Sequence, residues 1–115
     1  MKNDYGESLD NNRYAPSILQ WNAGEQCAFC KREHIEVVRH EIFQGHGRRE
    51  KCKEYGLWIT VCPSCHGYIH ANPKQPAVRE LDEHAQHQAM EKYGWSVQEF
   101  RDIFGKNYIS DLEEY

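Results

Sequence analysis

The sequence predicts a small α+β domain organised around metal, and three observations carry that expectation. Two Cys-x-x-Cys pairs, Cys27-Ala-Phe-Cys30 and Cys62-Pro-Ser-Cys65, bracket the middle third of the chain. Two runs rich in β-branched residues lead into a segment with a helix-start proline, in the order strand, loop, strand, helix. Two further helical patterns follow. With 115 residues, 39% of them apolar, and a mean hydropathy of -0.91, the core is thin. A structural metal is a common support for a domain of this kind.

Residues 1–24 are polar, rich in Asn and Asp, and without clear periodicity. They read as a flexible N-terminal arm, with Ile18, Leu19 and Trp21 as the residues that would dock it on the body. Ile35–Phe43 reads as the first strand. Gly45 and Gly47 permit an open loop, and a short charged helix over about 49–55 ends at Gly56. Leu57–Val61 is the second strand and runs directly into Cys62. Pro63 suits the first turn of a helix carrying Cys65, His66 and His70, closed by Asn72-Pro73. A longer helix over about 75–93 places Val78, Leu81, Ala85, Ala89 and Tyr93 on one face, with Gly94 as its stop. In the last helix Ser96 and Glu99 form a capping box, Trp95 is set to staple onto Phe100, and Gly105 is the C-cap.

No apolar run approaches the roughly 20 residues of a membrane span, and the amino terminus has no signal-type stretch. The expected compartment is the cytoplasm, where thiols stay reduced and Cys-x-x-Cys reads as a metal or redox motif rather than a disulfide. The net charge of -4 argues against a general nucleic-acid binder. Its distribution says more. Between Lys31 and Lys53 there are seven Lys and Arg against four Glu, so positive charge concentrates between the cysteine pairs; a solvated surface loop is the plain alternative.

Cys27, Cys30, Cys62 and Cys65 supply four thiolates for a tetrahedral structural zinc. Their spacing exceeds the common zinc-ribbon gap of about 15–20 residues, so a strand, loop and strand must be inserted. A thioredoxin-like redox pair lacks its strand-helix-strand setting here, and a haem attachment needs export. Cys52 is left over and reads as a small packed or free thiol.

His66 and His70, four apart on a helix, project from one face and suit a single ion. The zinc-protease pattern is excluded, because Gly67 stands where a Glu is required. A third ligand is needed, and His40 near the end of the first strand is the best candidate. The plain alternative is that these imidazoles cap or pack, or that one replaces a cysteine at the zinc.

The run Arg39-His-Glu-Ile-Phe-Gln-Gly45, then Arg48-Arg49, then Tyr55-Gly-Leu-Trp-Ile-Thr-Val-Cys-Pro-Ser-Cys-His66 with His70, resembles the zinc-stabilised HNH nucleases, in particular small phage-type members. The closing Phe104-Gly-Lys-Asn-Tyr108 is similar to the way such proteins end, and the likeness covers about residues 27–108. It implies a ββα-metal core over 25–74, held by a four-cysteine zinc site, with a C-terminal helical extension over 75–115. It also implies a DNA endonuclease or nickase in which His40, His66 and His70 hold a catalytic Mg²⁺ or other divalent ion. That ion polarises the scissile phosphate while a general base activates water. Arg48 and Arg49 would hold phosphates. The chain departs from the family at two places: Glu41 stands where a second His usually serves as base, and the middle Asn is absent near Gly56 or Leu57. The base is then Glu41, His40 or His46. The expected partner is DNA, reached with the help of a phage or host protein in the host cytoplasm. The other reading is a non-catalytic zinc-binding module of the same fold that binds DNA or a protein.

Overall fold

The structure is a computed structural model that describes residues 1–45 and 47–109. It is a small α+β fold with a two-stranded antiparallel sheet and four helices. Strand β1 (Val38–Glu41) pairs with β2 (Trp58–Val61), with Val38 opposite Val61 and His40 opposite Ile59. Helix α1 (Arg48–Glu54) lies between them in sequence, and α2 (Pro63–Ala71) follows β2 after a single residue. Then come α3 (Pro76–Tyr93) and α4 (Val97–Phe104).

The first strand is shorter than the apolar run Ile35–Phe43 suggested. Its partner ends at Val61, because Pro63 starts α2 and cannot donate to a ladder. Ile35 to Val37 therefore have no strand beside them. At the other end Ile42 still donates to the Leu57 carbonyl, at 3.1 Å, and Phe43 then turns inward to a Cys52 Sγ acceptor at 3.3 Å. Cys52 is fully buried, and burial pushes its thiol up to about 12, so it is a packed neutral group.

One buried cluster joins the strands to the C-terminal helices. Phe43 packs edge-on against Phe100 and Phe104 and stacks on Tyr108. Helix α3 buries Val78, Ala85 and Ala89, as its periodicity requires, and also Gln86. Burying an amide is costly unless it is paired. Gln86 Nε2 donates to Asn107 Oδ1 at 2.7 Å, and its Oε1 accepts from Tyr108 N at 2.7 Å, which pins the segment after α4. The capping box of α4 forms in both directions, and Gly105 takes the left-handed C-cap conformation. Trp95 packs near Phe104 and joins Tyr5, Tyr55 and Tyr93 in an aromatic group.

Residues 1–24, expected as a flexible arm, lie along the body and cover the free edge of β2. Trp58 Nε1 donates to the Ala15 carbonyl, Ser17 Oγ to the Trp58 carbonyl, and Thr60 N to Gln20 Oε1. The last two bonds satisfy β2 backbone groups that an uncovered edge strand would present to other chains. Ile18 and Leu19 pack on the core as anticipated, but Trp21 does not; it is 94% exposed. Among the described residues, no helix is long and apolar enough to cross a membrane.

Gly56 makes this docking possible. Its φ is +72°, and a Cβ there would fall within the contact distance of the Pro16 carbonyl and 3.1 Å from Ile18 Cγ2. The left-handed conformation alone costs an ordinary residue about 1–2 kcal/mol. Gly56→Ala is expected to lose at least that much stability in a urea melt. It should also speed proteolysis within residues 1–24; an unchanged melt and cleavage pattern would refute the docking role.

Candidate metal centres

The fold brings together two separate donor sets. Cys27 and Cys30 come from the turn before β1, Cys62 is the one residue between β2 and α2 and caps that helix, and Cys65 lies in the helix's first turn. Their sulfurs all lie within 4.8 Å of one another. A tetrahedral zinc with Zn–S bonds of about 2.3 Å requires sulfurs about 3.8 Å apart, so the set suits a zinc held by four thiolates. Cys30 N donates to Cys27 Sγ at 3.4 Å, which closes the first knuckle around its own thiolate acceptor.

Arg32, counted in the sequence only as part of a charged stretch, belongs to this centre. Its Nε reaches Cys30 Sγ at 3.4 Å and its Nη2 reaches Cys62 Sγ at 3.7 Å. Arg32 holds the Cys30 thiol down at about 6, and backbone donation from Cys65 lowers Cys62. Burial raises Cys65. Four thiolates around one divalent ion carry excess negative charge, and the guanidinium offsets part of it.

The second set is His40, His66 and His70, whose ring nitrogens also lie within 4.8 Å of one another. His66 and His70 stand one turn apart on α2, with Nε2 atoms 3.0 Å apart. Two nitrogens bound at about 2.0–2.1 Å in cis positions would be about 2.9 Å apart. His40 reaches them from β1, its ring centroid 5.4 Å from each of theirs. It is 2% exposed, and its Nδ1 is a buried polar atom with no partner among the described residues. Leaving such an atom unpaired is costly, and a cation bound at Nδ1 would remove that cost. Burial, and the other two imidazoles, push His40 down to about 3, and burial lowers His66. Both stay neutral at physiological pH, the form that coordinates metal. Exposure increases from buried His40 to exposed His70, so the set opens to solvent on one side.

Glu41 is not in this cluster. Successive strand residues face opposite ways, and while His40 meets α2, Glu41 meets the N-terminal segment and α1. Its Oε1 accepts from Arg49 Nε and Nη2 at 3.0 and 2.9 Å, and its Oε2 accepts from Tyr14 Oη at 3.0 Å. Arg48 is also committed: its Nε donates to the Phe104 carbonyl at 2.7 Å and its Nη1 to the Gln44 carbonyl at 3.1 Å. Arg49, mostly exposed, is the member of the pair whose charge reaches His40 and His66. His46 lies outside the described residues. Gly56 and Leu57, near which the resemblance leads one to expect an Asn, hold none, and Gly56 admits residues 16–18.

Sequence reasoning missed Asp82. On α3 it reads as one more solvated carboxylate, yet it lines a cavity of about 300 Å³ together with His40 and His70. Burial pushes it up to about 7. The folded state therefore holds a proton that the unfolded chain releases near pH 4. Stability falls as pH rises from about 4 to 7, and the penalty is complete above 7. Asp82→Asn should melt higher than the parent at pH 8, with the gap closing toward pH 4. A difference independent of pH would contradict this.

Comparison with protein-family models, with curated proteins and with solved structures found no match.

Proposed function

We propose that the chain is a metal-dependent phosphodiesterase acting on DNA, a nuclease or nickase of HNH type whose ββα-metal core is β1, β2 and α2. The observation that carries this reading is the convergence of three imidazoles, with a buried unpaired His40 Nδ1, on a point separate from the four thiols. A fold that needs metal only for stability already has its donors in Cys27, Cys30, Cys62 and Cys65. Partly exposed nitrogen ligands suit an ion that must also meet a substrate.

A divalent ion held by His40, His66 and His70 would supply Lewis-acid stabilisation of the phosphate and of the leaving 3′ oxygen. The donor set is three nitrogens with no carboxylate, which suits a transition ion such as Mn²⁺, Co²⁺, Ni²⁺ or Zn²⁺ better than Mg²⁺, a cation of oxygen sites. His40 is suited to be a ligand rather than a general acid, since burial keeps its imidazole uncharged near neutral pH. Arg49, at the cluster's edge, offers a charge to a substrate phosphate and holds the Glu41 carboxylate in place. Held by Tyr14 and Arg49 on the other face of β1, Glu41 does not take the water's proton in this reading. An acidic protein with local positive charge binds bare duplex weakly, so a partner that delivers it to DNA is part of the proposal.

One observation favours the second reading, a non-catalytic module of the same fold. Glu41 already accepts three hydrogen bonds, where a working base needs a free lone pair. Plasmid relaxation by zinc-loaded protein, with Mn²⁺, Co²⁺, Ni²⁺ or Mg²⁺ added in turn, separates the two. The nuclease reading expects nicking, strongest with a transition ion. Folded protein that leaves the plasmid intact with every ion supports the module.

A further inference from the structure

Beside the histidine cavity lies a second concavity of about 250 Å³ whose walls carry Lys74, Arg79 and Lys106. The two share Pro73 and Asp82, so a trough runs from His40 and His70 to the three cations. These side chains come from separate places: the α2–α3 connection, the first turn of α3, and the segment after α4. All three are exposed, and none is ion-paired among the described residues.

The trough is built rather than incidental. Lys106 lies 4.9 Å from the centre of the Tyr108 ring, and that segment is fixed by the buried Gln86 through Asn107 and Tyr108. The start of α3 has no side-chain cap and no acidic residue in its first turn, so its positive dipole end adds to the lysines. Three cations around a small concave site, against the single carboxylate of Asp82, suit an anion with several acceptor oxygens.

We propose that Lys74, Arg79 and Lys106 form a backbone subsite that holds a phosphodiester of a nucleic-acid strand next to the one at the histidines. The assignment rests on the nuclease reading of the histidine cluster for its choice of nucleic acid over an acidic peptide. It moves the substrate track toward the C-terminal helices, away from Arg48, whose Nε and Nη1 already donate to the Phe104 and Gln44 carbonyls.

The test is fluorescence anisotropy of a labelled DNA duplex of about 20 base pairs with zinc-loaded protein, over about 50–200 mM salt. Lys74→Ala/Arg79→Ala/Lys106→Ala is compared with the parent and with Lys2→Ala/Lys92→Ala/Arg101→Ala, an equal loss of charge elsewhere. The trough variant is expected to bind about 10-fold more weakly or worse at low salt, with a salt slope smaller by about two to three. The control should stay within about twofold. Equal losses in both variants, or none in either, would overturn the subsite. So would lost affinity for polyglutamate with DNA binding retained, which would assign the trough to acidic peptides. Plasmid relaxation keeps the two claims apart. A trough variant that loses DNA affinity in a protein that never nicks leaves the subsite standing without the nuclease. Nicking with unchanged trough binding does the reverse.

Discussion

His66→Ala is expected to abolish plasmid nicking while leaving the fold and the zinc in place. His66 contributes one of three nitrogens to the cluster, on an α2 face partly open to solvent, so its removal leaves no large void. Loss of a group that merely supports a metal ligand costs about 10–100-fold. Loss of a ligand itself should cost more, on the order of 10³-fold or beyond. The cysteine sulfurs form a set of their own, so zinc content and melting temperature should stay near those of the parent. His40→Ala should also stop nicking, with an added loss of stability because His40 is buried. Nicking assays beside zinc analysis and thermal melts check the pair. A His66→Ala protein that nicks at the parent rate would remove the histidines from the chemistry.

Cys62→Ser should be more drastic, unfolding the domain rather than silencing it. Cys62 is one of the four clustered thiols that could hold a metal, the last residue before α2, and that helix's N-cap. A structural zinc contributes about 10–16 kcal/mol in small zinc domains, which matches or exceeds the whole stability of a typical domain, roughly 5–15 kcal/mol. With the zinc gone, the turn that starts α2 loses its tether, and His66 and His70 lose their position against β1. The expected result is collapse of the helical circular dichroism signal, in the variant and in chelator-treated parent alike, with recovery of the parent on adding zinc back. A native signal that persists in the metal-free protein would show that the four thiols are not a folding centre.

What was legible in the sequence was whatever is encoded locally. The Cys-x-x-Cys pairs, the four-residue spacing of His66 and His70 and the capping box of Ser96 and Glu99 are each set by neighbours along the chain, and the structure brings each together. His40 was reachable too, because the strand–strand–helix order puts β1 beside α2. The remainder depends on contacts between distant segments. Residues 1–24 dock through backbone groups and amide side chains such as Gln20, which leave no hydrophobic period to read. The direction of Glu41 follows from strand parity together with Tyr14 and Arg49, and only the fold shows where those two lie. Arg32 and Arg48 resemble any other surface arginine until their sulfur and carbonyl acceptors are in view. Lys74, Arg79 and Lys106 are scattered through the acidic remainder of the chain, where counting charge in windows hides them.

A cobalt(II) titration of metal-free protein, refolded as the metal is added, tests the two-centre arrangement most directly. Two equivalents should bind to the parent: the first with the intense thiolate charge-transfer absorption of a four-thiolate site, the second with only the weaker bands of nitrogen ligation. His66→Ala should retain the first and lose the second. A parent that saturates at one equivalent, or a His66→Ala protein that still takes up two, would contradict a metal centre at His40, His66 and His70.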